Sequence, residues 1–250
     1  MPHLSARIEE LIALGVRRAA TRTPYREPLV GYASAQDPGW LRLREVTEPT
    51  HLLPEELLPG ARTVVAFFVP FGEAVVRANR RGSESAREWA VAYQETNQVI
   101  NGIVESLREA LAGRGVRSAA QPATHNWDEE TLVSPWSHKS AAALAGLGSF
   151  GLHRLLITDR GCAGRCGSLV VDADLPATSR PQPERCRYFR DGGCGYCIEA
   201  CPAGALSAAP AGEPNLDKRG CYSRLLEVKA QTGADCCGKC SVGPCALGPA

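Results

Sequence analysis

The first 161 residues contain no cysteine, and all eleven cysteines follow, beginning at Cys162. A disulfide-stapled secreted chain rarely segregates its thiols so completely, and an odd total cannot pair fully, so disulfides are set aside in favour of metal ligation. No apolar run reaches the roughly 18 residues that a membrane-spanning helix needs. Arg7, Glu9 and Glu10 interrupt the N-terminal stretch where a signal peptide would carry an apolar core. The expectation is a soluble, cytoplasmic protein with no membrane contact. Charge of one sign is also lacking: 28 basic against 27 acidic residues leave a formal net charge of +1, which gives no electrostatic ground for tight binding to nucleic acid or an acidic surface. With 250 residues there is room for one substantial domain and a small one.

What is present is concentrated near the C-terminus. Cys194, Cys197 and Cys201 are spaced C-x2-C-x3-C and followed by Pro202, the last three quarters of a bacterial ferredoxin run. Thiolates are soft anionic donors that suit iron, and short spacings let one loop wrap a cubane. The cysteine expected just before Cys194 is missing, and Cys186, eight positions upstream, is the nearest substitute. Cys237 and Cys240 repeat the C-x2-C spacing, with Cys245 after them and Cys221 isolated between the groups.

In two-cluster ferredoxins the fourth cysteine of each run ligates the other cluster. Applied here, one [4Fe–4S] cluster uses Cys186, Cys194, Cys197 and Cys245, and the second uses Cys201, Cys221, Cys237 and Cys240. Cys162, Cys166 and Cys236 are left over, and Cys236 could replace its neighbour Cys237. The rival is zinc, with Cys194, Cys197, Cys237 and Cys240 forming one tetrahedral site in an interaction protein, at the cost of stranding the remaining thiols.

Upstream, Ser5 can cap a helix with Ile8, Leu11 and Ile12 on one face and Gly15 as its stop. The continuous apolar run within Arg62 to Phe71 predicts a buried strand. Tyr93, Ile100, Ile103, Val104, Leu107 and Leu111 recur at helical spacing between Glu88 and Leu111, ended by Gly113 and Gly115. Tyr93 and Asn97 on that helix read as packing residues with polar tips. Ser137 can cap an alanine-rich helix through Leu147; strands are predicted from Leu155 to Thr158 and from Ser168 to Leu175. The loop between them carries Cys162 and Cys166, which could form a redox pair, face a substrate or simply occupy a turn, and Arg165 would favour thiolate there. Pro176 to Pro183 reads as a stiff linker and places a boundary near residue 180.

Gly146, Gly148 and Gly151 match G-x-G-x-x-G. The run follows a helix and precedes a strand, the reverse of a dinucleotide fingerprint, so it reads as a place where backbone turns sharply and approaches a neighbour or a flat cofactor.

The order Leu57-Leu58-Pro59-Gly60-Ala61-Arg62 before a strand, Ala145 to Gly151 followed by Leu155-Leu156-Ile157, and then Cys194 to Pro202 resembles epoxyqueuosine reductases over about residues 50 to 250. Short iron–sulfur proteins of that superfamily and corrinoid reductive dehalogenases are similar too. The resemblance implies an α+β chain: an α/β reductase-like domain at 1–180 that cradles a corrinoid (cobalamin), and a ferredoxin-like domain at 181–250 with two clusters. The eight ligands fall as paired above. The corrinoid site falls at Gly146, Leu147, Gly148 and Gly151 with Trp136 as a wall, although Trp127 and Trp136 can equally be core residues. The family's general acid is an aspartate shortly before a proline, and Leu132 stands at that place. Asp128, Glu129, Glu130 and His138 are the substitutes within reach in sequence. His138 is preferred, with Glu130 beside it, because an imidazole titrates near neutral pH, though a histidine in a helix's first turn can be purely structural.

The function expected is an oxidoreductase fed by an external flavodoxin- or ferredoxin-type donor or another redox partner. A non-catalytic electron carrier or reductive-activation protein is the alternative, and tRNA enters as a partner only through the resemblance.

Overall fold

The computed structural model describes residues 2–46, 49–179 and 183–249. Helix α1 (Pro2–Arg17), strand β1 (Leu29–Ser34), helices α2 (Gly39–Val46) and α3 (Pro54–Leu57), and strand β2 (Thr63–Pro70) come first. Helices α4 (Glu73–Arg80) and α5 (Arg87–Ala112), the short strand β3 (Ser118–Ala119) and helix α6 (His138–Leu144) follow. A hairpin of β4 (Gly148–Phe150) and β5 (Leu156–Thr158) leads into β6 (Gly164–Val171). The cysteine-rich remainder carries helices α7 (Arg187–Asp191), α8 (Tyr196–Glu199) and α9 (Lys218–Thr232) and two 3₁₀ turns, Lys239–Ser241 and Pro244–Ala246. Among the described residues no helix is long and apolar enough to cross a membrane.

The main sheet has the order β1-β2-β6-β3, with every neighbour antiparallel. Side chains alternate across a strand, so the apolar run of β2 divides between two faces. Val65, Phe67 and Val69 join Leu169 and Val171 against Ile8 and Ile12 of α1 and Ile100, Ile103 and Leu107 of α5. Val64, Ala66 and Phe68 join Val170 against Trp40, Trp136 and the alanines of α6. Helices therefore cover both faces of β2, and all eight of its residues are buried. This is the mixed α and β architecture expected, built on an antiparallel sheet.

Three boundaries depart from expectation. Helix α1 begins before Ser5 and continues through Gly15, because a Cβ there would lie 2.5 Å from Ile103 Cγ1; the glycine is where α1 and α5 cross closely rather than a stop. Ser137 does cap α6, accepting from the Ser140 N–H, but α6 ends at Leu144. Strand β6 starts at Gly164, inside the segment expected to be loop. Of the expected linker, Arg180, Pro181 and Gln182 lie outside the described residues. Thr178 bonds Tyr32 of β1 in both directions: its N–H donates to the Tyr32 carbonyl, and its Oγ1 accepts from the Tyr32 N–H, both at 2.9 Å.

The C-terminal residues fold back onto the start of α5. Ala234, Cys236, Val242 and Ala246 share a buried cluster with Phe71, Val75, Val76 and Trp89. The Cys162 and Ala163 N–H groups donate to the carbonyls of Cys245 and Ala246 at 3.0 and 3.1 Å. Lys239 Nζ donates to the carbonyls of Asn79, Arg81 and Gly82, filling acceptors left open at the end of α4. These ties hold the cysteine-bearing turns against the end of the sheet where β6 begins.

Candidate metal centre and adjoining cavity

Eight of the cysteines lie near one another in the C-terminal part of the fold, and each acts most on a few of the others. Burial pushes the Cys197 thiol up to about 12, and Cys186, Cys245 and Cys194 reinforce the shift in that order. Burial likewise raises Cys240, with Cys237, Cys221, Cys197 and Cys201 adding to it, and raises Cys221, with Cys201 and Cys237 nearby. Cys186, Cys194, Cys197, Cys240 and Cys245 line one small enclosed space of about 20 Å³. Thiols whose ionisation is opposed by burial and by one another are thiols that a cationic metal would stabilise as thiolates. Cys197 also acts on Cys240, and both line the same small space.

The donor set also tests zinc. Tetrahedral zinc with bonds near 2.3 Å holds its sulfurs about 3.8 Å apart. Among the described residues the set of three potential ligands within 4.8 Å of one another is His153, Cys162 and Cys245, and Cys194, Cys197, Cys237 and Cys240 do not converge in that way. A cubane, with one thiolate on each of four irons, keeps its ligands further apart.

Cys236 and Cys237 part company. Burial lifts Cys236 to about 12, opposed by Arg165, and it packs with Val242 and Trp89. Cys237 acts on Cys221 and Cys240, which places it with the second group.

Cys245 has two close companions. His153 Nε2 lies 3.4 Å from its sulfur and Cys162 Sγ 3.7 Å away. The Leu155 N–H donates to His153 Nδ1 at 3.1 Å, so Nδ1 is an acceptor and Nε2 carries the proton that points at Cys245. Cys162, first, and His153 hold the Cys245 thiol down at about 5 against the opposing effect of burial. Sequence gave no sign of His153; its partner is 92 positions away.

A cavity of about 320 Å³ is bounded on one side by Cys201, Cys221, Cys237 and Cys240 and elsewhere by Trp89, Tyr93, Lys139, Leu155 and Arg165. The guanidinium carbon of Arg165 sits 4.4 Å from the Tyr93 ring centroid. Cys166 does not line this cavity. Arg165 and Lys139 do favour thiolate at Cys166, but burial outweighs them and drives the thiol up to about 12.

The other expected site residues lie elsewhere. His138 is buried, with Nε2 donating to the Pro122 carbonyl at 2.9 Å and Nδ1 accepting from Ser168 Oγ at 2.8 Å. Burial lowers its pKa. Both nitrogens are occupied inside the protein, so the ring has none to offer a ligand. Trp136 stacks on Trp40 with centroids 5.3 Å apart and donates to the same Ser168 hydroxyl at 2.9 Å; it is a core residue, not a cavity wall. Glu130 is exposed, and its carbonyl accepts from Arg219. Leu132 closes a tight turn with φ of 56°, a region leucine rarely adopts, its N–H donating to the Asp128 carbonyl at 2.8 Å.

Gly148 faces Ile157, whose carbonyl would lie 2.1 Å from an added Cβ, and Gly151 lies against His153 and Ile157. Gly146 has φ of 74°, and Leu147 packs among the residues around α6. The glycine run serves close packing of the β4–β5 hairpin, and the cavity lining begins just after it, at His153, Arg154 and Leu155.

No protein-family model matches the chain. It is 25% identical over 187 residues to an epoxyqueuosine reductase of Bacillus cereus and 28% identical over 188 residues to one of Burkholderia pseudomallei. Those matches cover 70% and 69% of this chain but 43% and 45% of the relatives, so the chain spans less than half the length of the curated proteins it matches. An epoxyqueuosine reductase structure with an epoxyqueuosine-modified tRNA stem loop superposes with a TM-score of 0.61 at 20% identity, covering 97% of this chain and 66% of that one. A catabolic reductive dehalogenase gives 0.52 at 16% identity, over 88% and 30% of the two chains. The chain is thus a homologue of epoxyqueuosine reductases and shares their fold.

Proposed function

We propose that this homologue of epoxyqueuosine reductases is an iron–sulfur oxidoreductase. It would hold one [4Fe–4S] cluster on Cys186, Cys194, Cys197 and Cys245 and a second on Cys201, Cys221, Cys237 and Cys240. The observation that carries the reading is the nearness of eight thiols to one another, with Cys197 and Cys240 lining the same small space. When bound, the clusters supply electrons one at a time at low potential. The chain's own residues do the rest. His153 and Cys162 direct donors at one ligand sulfur. Seven of the eight thiols, all but Cys197, are partly exposed, which suits electron entry at either set from an external flavodoxin- or ferredoxin-type donor. The cavity on the side of the second set, with its aromatic and basic lining, is where a substrate would be held away from bulk water.

A corrinoid does not fit this arrangement. Gly146, Leu147, Gly148, Gly151 and Trp136 are taken up in packing, and the cavity of about 320 Å³ is shared with the second set of thiols. Enclosed ligand sites begin at about 300 Å³ for molecules far smaller than a corrinoid. The tRNA ligand belongs to the structural relative; the net charge of +1 gives no reason to carry it over. The resemblance also leaves room for a second reading, an electron carrier without substrate chemistry, because Leu132 offers no proton at the place where the resemblance implies an aspartate.

The test is a reductive titration of anaerobically purified protein. Uptake of about two electrons per chain, one for each cluster, with loss of visible absorbance is expected. A colourless chain that takes up none overturns the proposal.

A further inference from the structure

We infer that the cavity beside the second thiol group binds a small anion, a carboxylate carried on an apolar body, through the guanidinium of Arg165. The inference deepens the proposed function by naming a ligand class for the same site, and it rests on that reading.

The alternation of β6 places Arg165 on the face of Leu169 and Val171, towards α5. There its guanidinium lies over the Tyr93 ring and lines the cavity. A guanidinium carries five N–H donors, and a buried cation without a partner is costly. Among the described residues none of these donors has a hydrogen bond or an ion pair, and Nε is sealed from solvent.

The cavity's other basic groups are engaged. Lys139 Nζ donates to the Arg154 carbonyl at 3.0 Å, and Arg154 itself donates to Asn215 Oδ1 and the Glu213 carbonyl. Arg224 has its charge paired with Glu84 and Glu227 at 2.6 and 2.8 Å, although its buried Nε, like that of Arg165, makes no hydrogen bond among the described residues. Lys239 is consumed by three carbonyls. Arg165 is left with its fork free.

Two groups could satisfy it internally, and neither does. Asp235 is the nearby carboxylate, but it receives His125 Nε2 at 3.3 Å and interacts with Tyr93, and it makes no ion pair with Arg165. The cluster thiolates are the other. The thiols of the second set line the same cavity, but the thiols that bear most on Arg165 are Cys166 and Cys236, which lie outside that set. An external oxyanion is what the fork geometry matches best. Trp89, Leu155, Leu206, Leu216 and Leu225 supply the apolar remainder of the lining, which sets the character of the ligand's body.

The experiment is calorimetric titration of the full, cluster-loaded chain with benzoate and with its neutral isostere benzamide, in wild type, Arg165→Gln and Arg165→Lys. Saturable benzoate binding is expected in wild type, weakened at least about tenfold in Arg165→Gln because a charge-assisted hydrogen-bond pair is lost. Arg165→Lys should bind between the two, and benzamide should not distinguish the variants. Benzoate binding that is absent, or equal in wild type and Arg165→Gln, overturns the inference. Should Arg165→Gln fail to fold, equal affinity of wild type for benzoate and benzamide overturns it as well. Iron analysis of the same samples separates the two failures: an iron-free chain defeats the proposed function, whereas an iron-loaded chain indifferent to benzoate defeats this inference alone.

Discussion

Replacing His153 by leucine should lower the reduction potential of the first cluster and leave the second where it is. Nε2 of His153 carries the proton because Nδ1 is committed to the Leu155 N–H at 3.1 Å, and that proton points at Cys245 Sγ 3.4 Å away. Reduction adds negative charge to a cluster, so a donor on a ligand sulfur stabilises the reduced form more than the oxidised one. Hydrogen bonds to charged groups are worth about 1.5–3 kcal/mol, and the difference between two oxidation states is a fraction of that, about 1 kcal/mol. With about 59 mV per tenfold change for one electron, the expected fall is about 40 mV. Cys162, whose thiol also lies 3.5 Å from the Ser241 carbonyl, divides its donor between two acceptors, so Cys162→Ala should shift the potential less. Potentiometric titration of the cluster-loaded variants followed by electron paramagnetic resonance reads both centres separately. An unchanged first potential, or equal movement of both, would refute the reasoning.

Two further outcomes follow from the site and the core. Cys236→Ser should keep about eight irons per chain, whereas Cys237→Ser should lose about four, read by iron analysis; the reverse result would exchange their roles. His138 has a folded-state pKa lowered from 6.5 by burial, so the unfolded chain binds its proton more readily. The stability this gives is fully present above pH 6.5 and is lost as pH falls towards the folded value, at up to about 1.4 kcal/mol per unit. Thermal unfolding of His138→Asn under anaerobic conditions should show a lower midpoint at pH 7.5 and a smaller drop between pH 7.5 and 5.5 than wild type. Parallel drops would contradict the buried, neutral assignment.

Features with local causes were legible in the sequence. An apolar run with no polar face reads as a strand covered on both sides, which β2 is, and the period of α5 follows from one face packing on the sheet. The C-x2-C spacings at Cys194 and Cys237 are legible for the same reason, since a loop that wraps a metal group is itself local. Pairings between distant segments were not legible. Strand β1 directly follows Pro28 and contains Gly31, so only its antiparallel partner β2 makes it a strand. Gly164 to Gly167 reads as loop from its glycines, yet β2 pairs with it across the whole stretch, and that extension carries Arg165 to the cavity. His138 and Trp136 looked functional because polar and aromatic tips suit chemistry; what decides is that both converge on the Ser168 hydroxyl in the core, a position 30 or more residues away. Gly15 had the look of a helix stop, and only the crossing with Ile103 reveals it as a contact.

The measurement that bears most directly on the central claim is iron, acid-labile sulfide and zinc per chain in anaerobically purified wild-type protein. Two [4Fe–4S] clusters predict about eight irons and eight sulfides with no stoichiometric zinc. About one zinc per chain without sulfide would contradict the account.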